Sequence, residues 1–352
     1  MAWDFVVAKS DLRRSEFRDA EPPPLDDGQV RLAIESFALT ANNITYAVFG
    51  EMMRYWDFFP APEGFGRVPV WGHARVEASA NPDIAVGQRF YGYCPMSTHL
   101  TVQAKAGRSG FTDVAEHRRP LPPIYNQYQA VGEDEGLDAH KALLQPLFIT
   151  AFLIDDQFDE HDFYGARSVI LSSASSKTAI GLAALLKTRG GAKVVGLTSA
   201  RNKAFVEGLG FYDQVVLYDD LATAPIDGPA AYVDFAGDAA VLGGVHRRFG
   251  DALKASILVG GTHWEAPREG GGDLPGPTPA FFFAPDRVTK RQQDWGPGGF
   301  DQRYGAAWGG FVADAPRWLK VERSAGRDAV QAAYLAQVDG GTAADVGVML
   351  AP

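Results

Sequence analysis

The run Ser172-Ser-Ala-Ser-Ser-Lys-Thr178 carries the clearest chemistry in this chain. Every side chain before Lys177 is small, and the run follows the apolar stretch Val169-Ile-Leu171. Small side chains let a ligand approach the main chain closely. A helix opening on such a loop turns unpaired N–H groups toward an anion, and Lys177 adds positive charge. That combination suits a phosphate.

A second apolar stretch, Val194-Val-Gly-Leu-Thr198, begins five residues after the end of the predicted helix 178–189. Strand, loop, helix and strand make the first half of a dinucleotide-binding βαβ unit. The loop nevertheless lacks Gly-x-Gly-x-x-Gly, and its first glycine, Gly181, already lies inside the helix. Three readings stand at this point. In one, Ser172, Ser173, Ser175, Ser176, Lys177 and Thr178 form a variant dinucleotide loop. In another, Ser176-Lys-Thr178 ends a P-loop, but the glycine required five residues before its last one is Leu171. In the third, the serines cap their own helix and bind nothing.

The end of the second strand bears on the choice. An acid there would hold a ribose 2′-hydroxyl. This chain reads Leu197-Thr-Ser-Ala-Arg-Asn-Lys203, with a hydroxyl and two cations instead. Ser199, Arg201 and Lys203 supply the donors and charge that a 2′-phosphate needs, so NADP is the expected cofactor.

A second region stands out by composition. Tyr46-Ala-Val-Phe-Gly-Glu-Met-Met-Arg-Tyr-Trp-Asp-Phe-Phe-Pro60 is crowded with aromatic and Met residues. It is either an apolar wall for an acyl or aromatic substrate, with Trp56 and Phe59 in contact, or a hydrophobic cluster under a loop. His263, after the fifth predicted strand, is a further substrate-contact candidate, because ligands bind beyond the carboxyl ends of such strands.

The surrounding elements must position these residues. Residues 1–145 read as β-rich, with strands expected at 29–38, 68–70, 74–78, 89–93 and 100–103. From 146 onward strands and helices alternate: strands at 169–172, 194–198, 214–218, 231–235 and 256–260, and helices at 178–189, 202–209 and 239–249. That is the signature of a doubly wound parallel sheet. Helix 328–338 and strand 346–350 close the chain. The 352 residues suffice for two domains, and a net charge of −10 argues against a general nucleic-acid partner. One cysteine, Cys94, rules out an internal disulfide and a four-cysteine zinc site. The N-terminus lacks signal-peptide character, and no apolar run has membrane-spanning length, so a cytoplasmic protein is expected.

Several motifs together resemble the zinc-independent branch of the medium-chain dehydrogenase/reductase superfamily, which includes quinone oxidoreductases and enoyl-thioester reductases. They are Asn42-Asn-Ile-Thr-Tyr46, Pro69-Val-Trp-Gly-His73, Val86-Gly-Gln-Arg89, Leu144-Gln-Pro-Leu-Phe-Ile-Thr-Ala151, Val216-Leu-Tyr-Asp219, Asp234-Phe-Ala-Gly237 and Leu258-Val-Gly-Gly-Thr262. The resemblance implies a Rossmann-type α/β domain, 146–315, and a β-rich GroES-like, barrel-like domain, 1–145 with 316–352. It implies Tyr218 near the 2′-phosphate, and Gly260 and Gly261 against the nicotinamide. The family's loop glycines fall on Ser173, Lys177 and Ala179. The zinc-dependent branch has Cys and Glu where this chain has Asn42 and Ala74, so no catalytic metal is expected, and His73 reads as a hydrogen-bonded core or cleft histidine.

Without zinc, developing negative charge needs hydrogen-bond donors. Tyr46 is the candidate proton donor and Asn43 a neutral positioner; Tyr46 as packing is the alternative. The expected function is NADPH-dependent hydride transfer to an activated enone, enoyl thioester or quinone. The alternative is a non-catalytic NADP(H)-sensing protein. The aromatic run Ala280-Phe-Phe-Phe-Ala-Pro-Asp-Arg287 suggests an edge strand that pairs two subunits as a homodimer.

Overall fold

The computed structural model describes residues 2–134, 136–259 and 274–352. Its contacts divide the chain into two units, Met1–Leu143 with Leu319–Pro352, and Leu144–Trp318.

The first unit opens with β1 (Trp3–Ala8), β2 (Asp11–Asp19), β3 (Gln29–Leu39) and helix α1 (Ala41–Val48). A 3-10 turn, Tyr55–Phe58, leads to β4 (Phe65–Gly66), β5 (Pro69–Ser79), β6 (Arg89–Pro95), β7 (His99–Gly107), β8 (Gly110–Asp113) and β9 (Gln127–Val131). Strands β3, β5, β6, β9, β8 and β7 pair in that order, and β7 pairs back to β3. The sheet therefore closes into an antiparallel barrel. Val30, Leu32 and Ile34 of β3 point inward, two residues apart, as the pleat requires.

Helix α2 (Asp138–Glu160) carries the chain onward. The second unit then holds β10 (Ser168–Leu171), α3 (Lys177–Arg189), β11 (Lys193–Thr198), α4 (Lys203–Leu209), β12 (Gln214–Leu217) and β13 (Ala230–Asp234). After these come α5 (Ala239–Phe249), β14 (Leu253–Leu258), β15 (Ala280–Phe281), α6 (Ala284–Trp295) and α7 (Gly299–Asp314). The sheet runs β12-β11-β10-β13-β14-β15, with every pair parallel. Every residue of β10 and β13 is buried, which is why these strands read as unbroken apolar runs. Each of Val169, Ile170 and Leu171 contributes about 1.5–3 kcal/mol by full burial. Gly181 lets α3 approach α2 closely, since a Cβ there would lie 3.2 Å from the Ala151 methyl.

The chain ends with β16 (Lys320–Ala325), α8 (Arg327–Val338) and β17 (Val346–Ala351). In the first unit, β17 extends the sheet antiparallel to β3, and β16 lies parallel beside β17. Among the described residues, no helix is long and apolar enough to cross a membrane.

Candidate functional site

From β10 the chain goes to β11 and β12 on one side, then crosses to β13 on the other side of β10. The loop after β10 thus stands at the reversal of strand order, where open α/β sheets bind ligands. Helix α3 starts at Lys177, so its first-turn amides open on this loop.

The loop has no glycine, and side chains from neighbouring strand ends hold it instead. Ser173 takes the left-handed conformation, φ 48°. That costs a residue with a Cβ about 1 kcal/mol. The Ser173 amide donates to the Tyr218 hydroxyl at 2.8 Å. Tyr212 donates its hydroxyl to the Ala174 carbonyl at 2.8 Å, and Asn202 Nδ2 donates to Ser175 Oγ at 3.0 Å. Gly196 on β11 makes room for this arrangement, because a Cβ there would sit 2.8 Å from the Tyr212 ring and 2.9 Å from Ala174.

Two of the serines expected on the ligand are engaged within the fold. Ser172 is fully buried. Its hydroxyl donates to Asp234 Oδ1 at 2.7 Å and accepts from the amides of Phe235 and Ala236. Asp234 Oδ1 also accepts from the Tyr232 hydroxyl at 3.0 Å and from the amides of Ala236 and Gly237. This network ties the ends of β10 and β13 together beneath the loop. Ser176 is the N-cap of α3, its Oγ accepting from the Ala179 amide at 3.4 Å. Lys177 and Thr178 are half-buried at the start of the helix. At the end of β11, Ser199 and Arg201 are exposed. Lys203 faces Glu207 at 3.8 Å across a solvated pair. Tyr218, expected near a 2′-phosphate, has its hydroxyl on the loop itself, and burial pushes that phenol up to about 12. Gly260, Gly261 and His263 lie outside the described residues.

In the first unit the expected substrate residues turn inward. Asn43 is 2% exposed and both ends of its amide are engaged. Its Oδ1 accepts from the Thr40 amide at 2.7 Å, capping α1, and its Nδ2 donates to the Pro69 carbonyl at 2.9 Å. Asn43 is therefore a capping and bridging residue, not a free donor. The Tyr46 hydroxyl is buried and accepts from the Trp71 indole N–H at 3.4 Å. Its ring meets those of Tyr55, Tyr93 and Tyr125 at 4.6, 5.6 and 6.3 Å. Burial, followed by the neighbouring Tyr55, raises its pKa well above the usual phenol value.

Trp56 and Phe59 are also packed inward. A Cβ at Gly50 would lie 2.1 Å from the Trp56 ring, and one at Gly66 would lie 2.4 Å from it. The indole thus fills a slot between two glycines. Phe59 is 1% exposed, with the Arg118 guanidinium 4.8 Å from its ring centre. Arg118 is itself buried and pairs with Asp113 at 3.0 Å. The segment is a hydrophobic cluster under a loop, fastened by a buried ion pair that sequence reasoning did not single out. His73 is buried, with Nε2 3.6 Å from Asp138 Oδ2. Burial lowers its pKa, an effect partly offset by the Asp138 charge.

Known structures share this architecture. CurA from Vibrio vulnificus, solved in complex with NADPH, aligns over 99% of both chains at 15% identity and a TM-score of 0.63. S. aureus TarJ in complex with NADPH aligns over 99% of this chain and 98% of its own, at 10% identity and a TM-score of 0.60. A Pseudomonas syringae quinone oxidoreductase covers 100% of both chains at 16% identity and a TM-score of 0.58. The fold is that of the medium-chain dehydrogenases/reductases. No curated protein matches the sequence. A family model matches residues 37–343, and the chain belongs to that family, described as Protein of unknown function (DUF2855).

Proposed function

We propose that this protein is an NADPH-dependent oxidoreductase that works without zinc. The observation that carries the reading is the loop after β10: a left-handed turn at the reversal of strand order, opening on a helix that begins with Lys177. The structural neighbours solved with NADPH support it. Lys177, Thr178 and Ser175 would hold the pyrophosphate by charge and hydrogen bonds. Ser199, Arg201 and Lys203 would hold the 2′-phosphate, since the end of β11 offers donors and cations and no acid. When bound, the reduced nicotinamide supplies a hydride, for which an enone, enoyl thioester or quinone is the fitting acceptor class. The absence of the zinc branch's Cys and Glu supports chemistry without a metal.

A second reading has its own support. Asn43 and Tyr46 are both buried inside the first unit, Asn43 with its amide engaged at both ends and Tyr46 accepting from the Trp71 indole. A protein that binds NADP(H) without turning it over fits that observation. Calorimetric titration with NADPH and NADH, on the native chain and on Lys177→Ala and Arg201→Ala, tests the binding. Each variant should bind NADPH about tenfold more weakly, the size of one charge-assisted contact. Unchanged affinity would sink the assignment. NADPH oxidation with a panel of enones, enoyl thioesters and quinones separates enzyme from sensor. We also infer a homodimer through β15, an edge strand on which Phe281 is 59% exposed. A sedimentation mass equal to one chain overturns that inference.

A further inference from the structure

We propose that Tyr218 is an internal occupant of the dinucleotide loop, and that cofactor phosphate and the Tyr218 hydroxyl compete for the Ser173 amide. The inference rests on the cofactor reading above and specifies what happens at that site.

The amides of the loop are not equivalent. Those of Ser172, Ala174 and Ser176 donate to the backbone carbonyls of Val233, Leu197 and Ser173. Releasing any of them breaks main-chain structure. Ser173 is different, because the acceptor for its amide is a side-chain oxygen, which rotation can withdraw. Its left-handed backbone, φ 48°, also belongs to the class of turns whose amides form anion-binding concavities. Of these four amides, that of Ser173 is the one held by a side chain, and a phenol covers it at the ligand end of the sheet.

The occupant is suited to be displaced. Tyr218 stands in a 3-10 turn, Tyr218–Asp220, at the end of β12, and is half-buried. Its ring packs at the margin of the core cluster that contains Ile170 and Val195. Burial pushes the phenol up to about 12, so its oxygen remains a neutral hydroxyl at physiological pH. A phosphate oxygen is charged and forms hydrogen bonds roughly twice as strong. Pyrophosphate therefore wins the amide, and the lost phenol bond is subtracted from its affinity. The hydroxyl also explains how a serine is held in a conformation usually left to glycine, because the bond to Tyr218 fixes it there. Tyr218 acts as a positioning residue for the empty loop and a competitor for the filled one.

Calorimetric titration of NADPH into the native chain, Tyr218→Phe and Ser173→Gly tests the proposal. Tyr218→Phe should bind about two- to tenfold more tightly, the range that one neutral hydrogen bond commands. It should also melt at a lower temperature without cofactor. Ser173→Gly keeps the amide's bond to the phenol, removes only the Ser173 hydroxyl that also contacts it, and should bind within about twofold of the native chain, allowing for the glycine's modest entropic cost. If the native chain binds NADPH and Tyr218→Phe binds equally or more weakly, the competition is overturned and the cofactor reading stands. If Ser173→Gly alone tightens binding, backbone strain limits affinity and the proposal is also overturned. If no form binds NADPH, both fail together. Should Tyr218→Phe not fold, Tyr218→Met removes the same oxygen and carries the same expectation.

Discussion

Two stretches of this chain advertise chemistry through composition, and the fold uses them in opposite ways. The serine-rich run 172–178 stays partly exposed at the carboxyl end of the parallel sheet, while the aromatic run 46–60 turns into the first unit's core. The difference lies in where each loop falls. The first follows a fully buried parallel strand at a reversal of strand order, where a helix opens and main-chain amides face outward. The second links α1 to β4 beside the barrel, and apolar side chains there gain most by covering it. Even the serine loop is divided: Ser172 and Ser176 hold structure and Ser175 accepts from Asn202, while Lys177 and Thr178 stand half-buried at the helix start as the proposed ligand contacts. Residue type proposes a role, and burial with hydrogen-bond accounting decides it.

The sharpest way to break this contrast is Trp56→Ala. If the indole is core, removing it empties the slot between Gly50 and Gly66 and costs about 3–5 kcal/mol. Denaturant unfolding measures that loss. Unchanged stability with a raised KM for apolar substrates would make the segment a substrate wall after all.

Ser172→Ala probes the other side of the contrast. The hydroxyl serves Asp234 and two backbone amides, so its removal should cost about 1–3 kcal/mol in thermal or denaturant unfolding. Weaker NADPH binding with stability intact would return Ser172 to the ligand.

Much of the fold was legible because burial leaves a pattern. Strands β10, β11 and β13 are apolar runs, and Ser176 marks the start of α3 as an N-cap should. Strand β2 was illegible, since Asp11-Leu-Arg-Arg-Ser-Glu-Phe-Arg-Asp19 is largely solvated and shows no alternating apolar face. Helix α7 hides behind Gly299, Gly305, Gly309 and Gly310, which lower its apparent propensity. The predicted strands 68–70 and 74–78 are one strand, β5, because Gly72 marks a close approach and not a break: a Cβ there would meet the Ser36 carbonyl at 2.2 Å. The candidate site was legible only as far as its loop. That Asn43 bridges to the Pro69 carbonyl and that Tyr218 sits on Ser173 are contacts between segments distant in sequence, which periodicity does not record.

His73 extends the test of the barrel side to acid. Its folded pKa lies below the usual value of 6.5, so the unfolded chain takes up the proton first as pH falls. Stability from the neutral imidazole is intact above about pH 6.5 and is lost below it, by about 1–2 kcal/mol near pH 5. His73→Gln should flatten that acid limb in chemical denaturation at stepped pH. A limb of unchanged slope would place the titrating group elsewhere.

The smallest expected effect on stability is also the cleanest probe of the ligand side. Lys203 pairs with Glu207 at 3.8 Å on the exposed face of α4, an interaction worth a few tenths of a kcal/mol. Lys203→Ala should therefore shift unfolding by less than about 0.5 kcal/mol. The same change should lower NADPH affinity several-fold and leave NADH affinity where it was, because only the former carries a 2′-phosphate. Equal losses for both cofactors would mean that Lys203 acts through the shape of α4. No loss for either would leave Arg201 and Ser199 to distinguish the two cofactors.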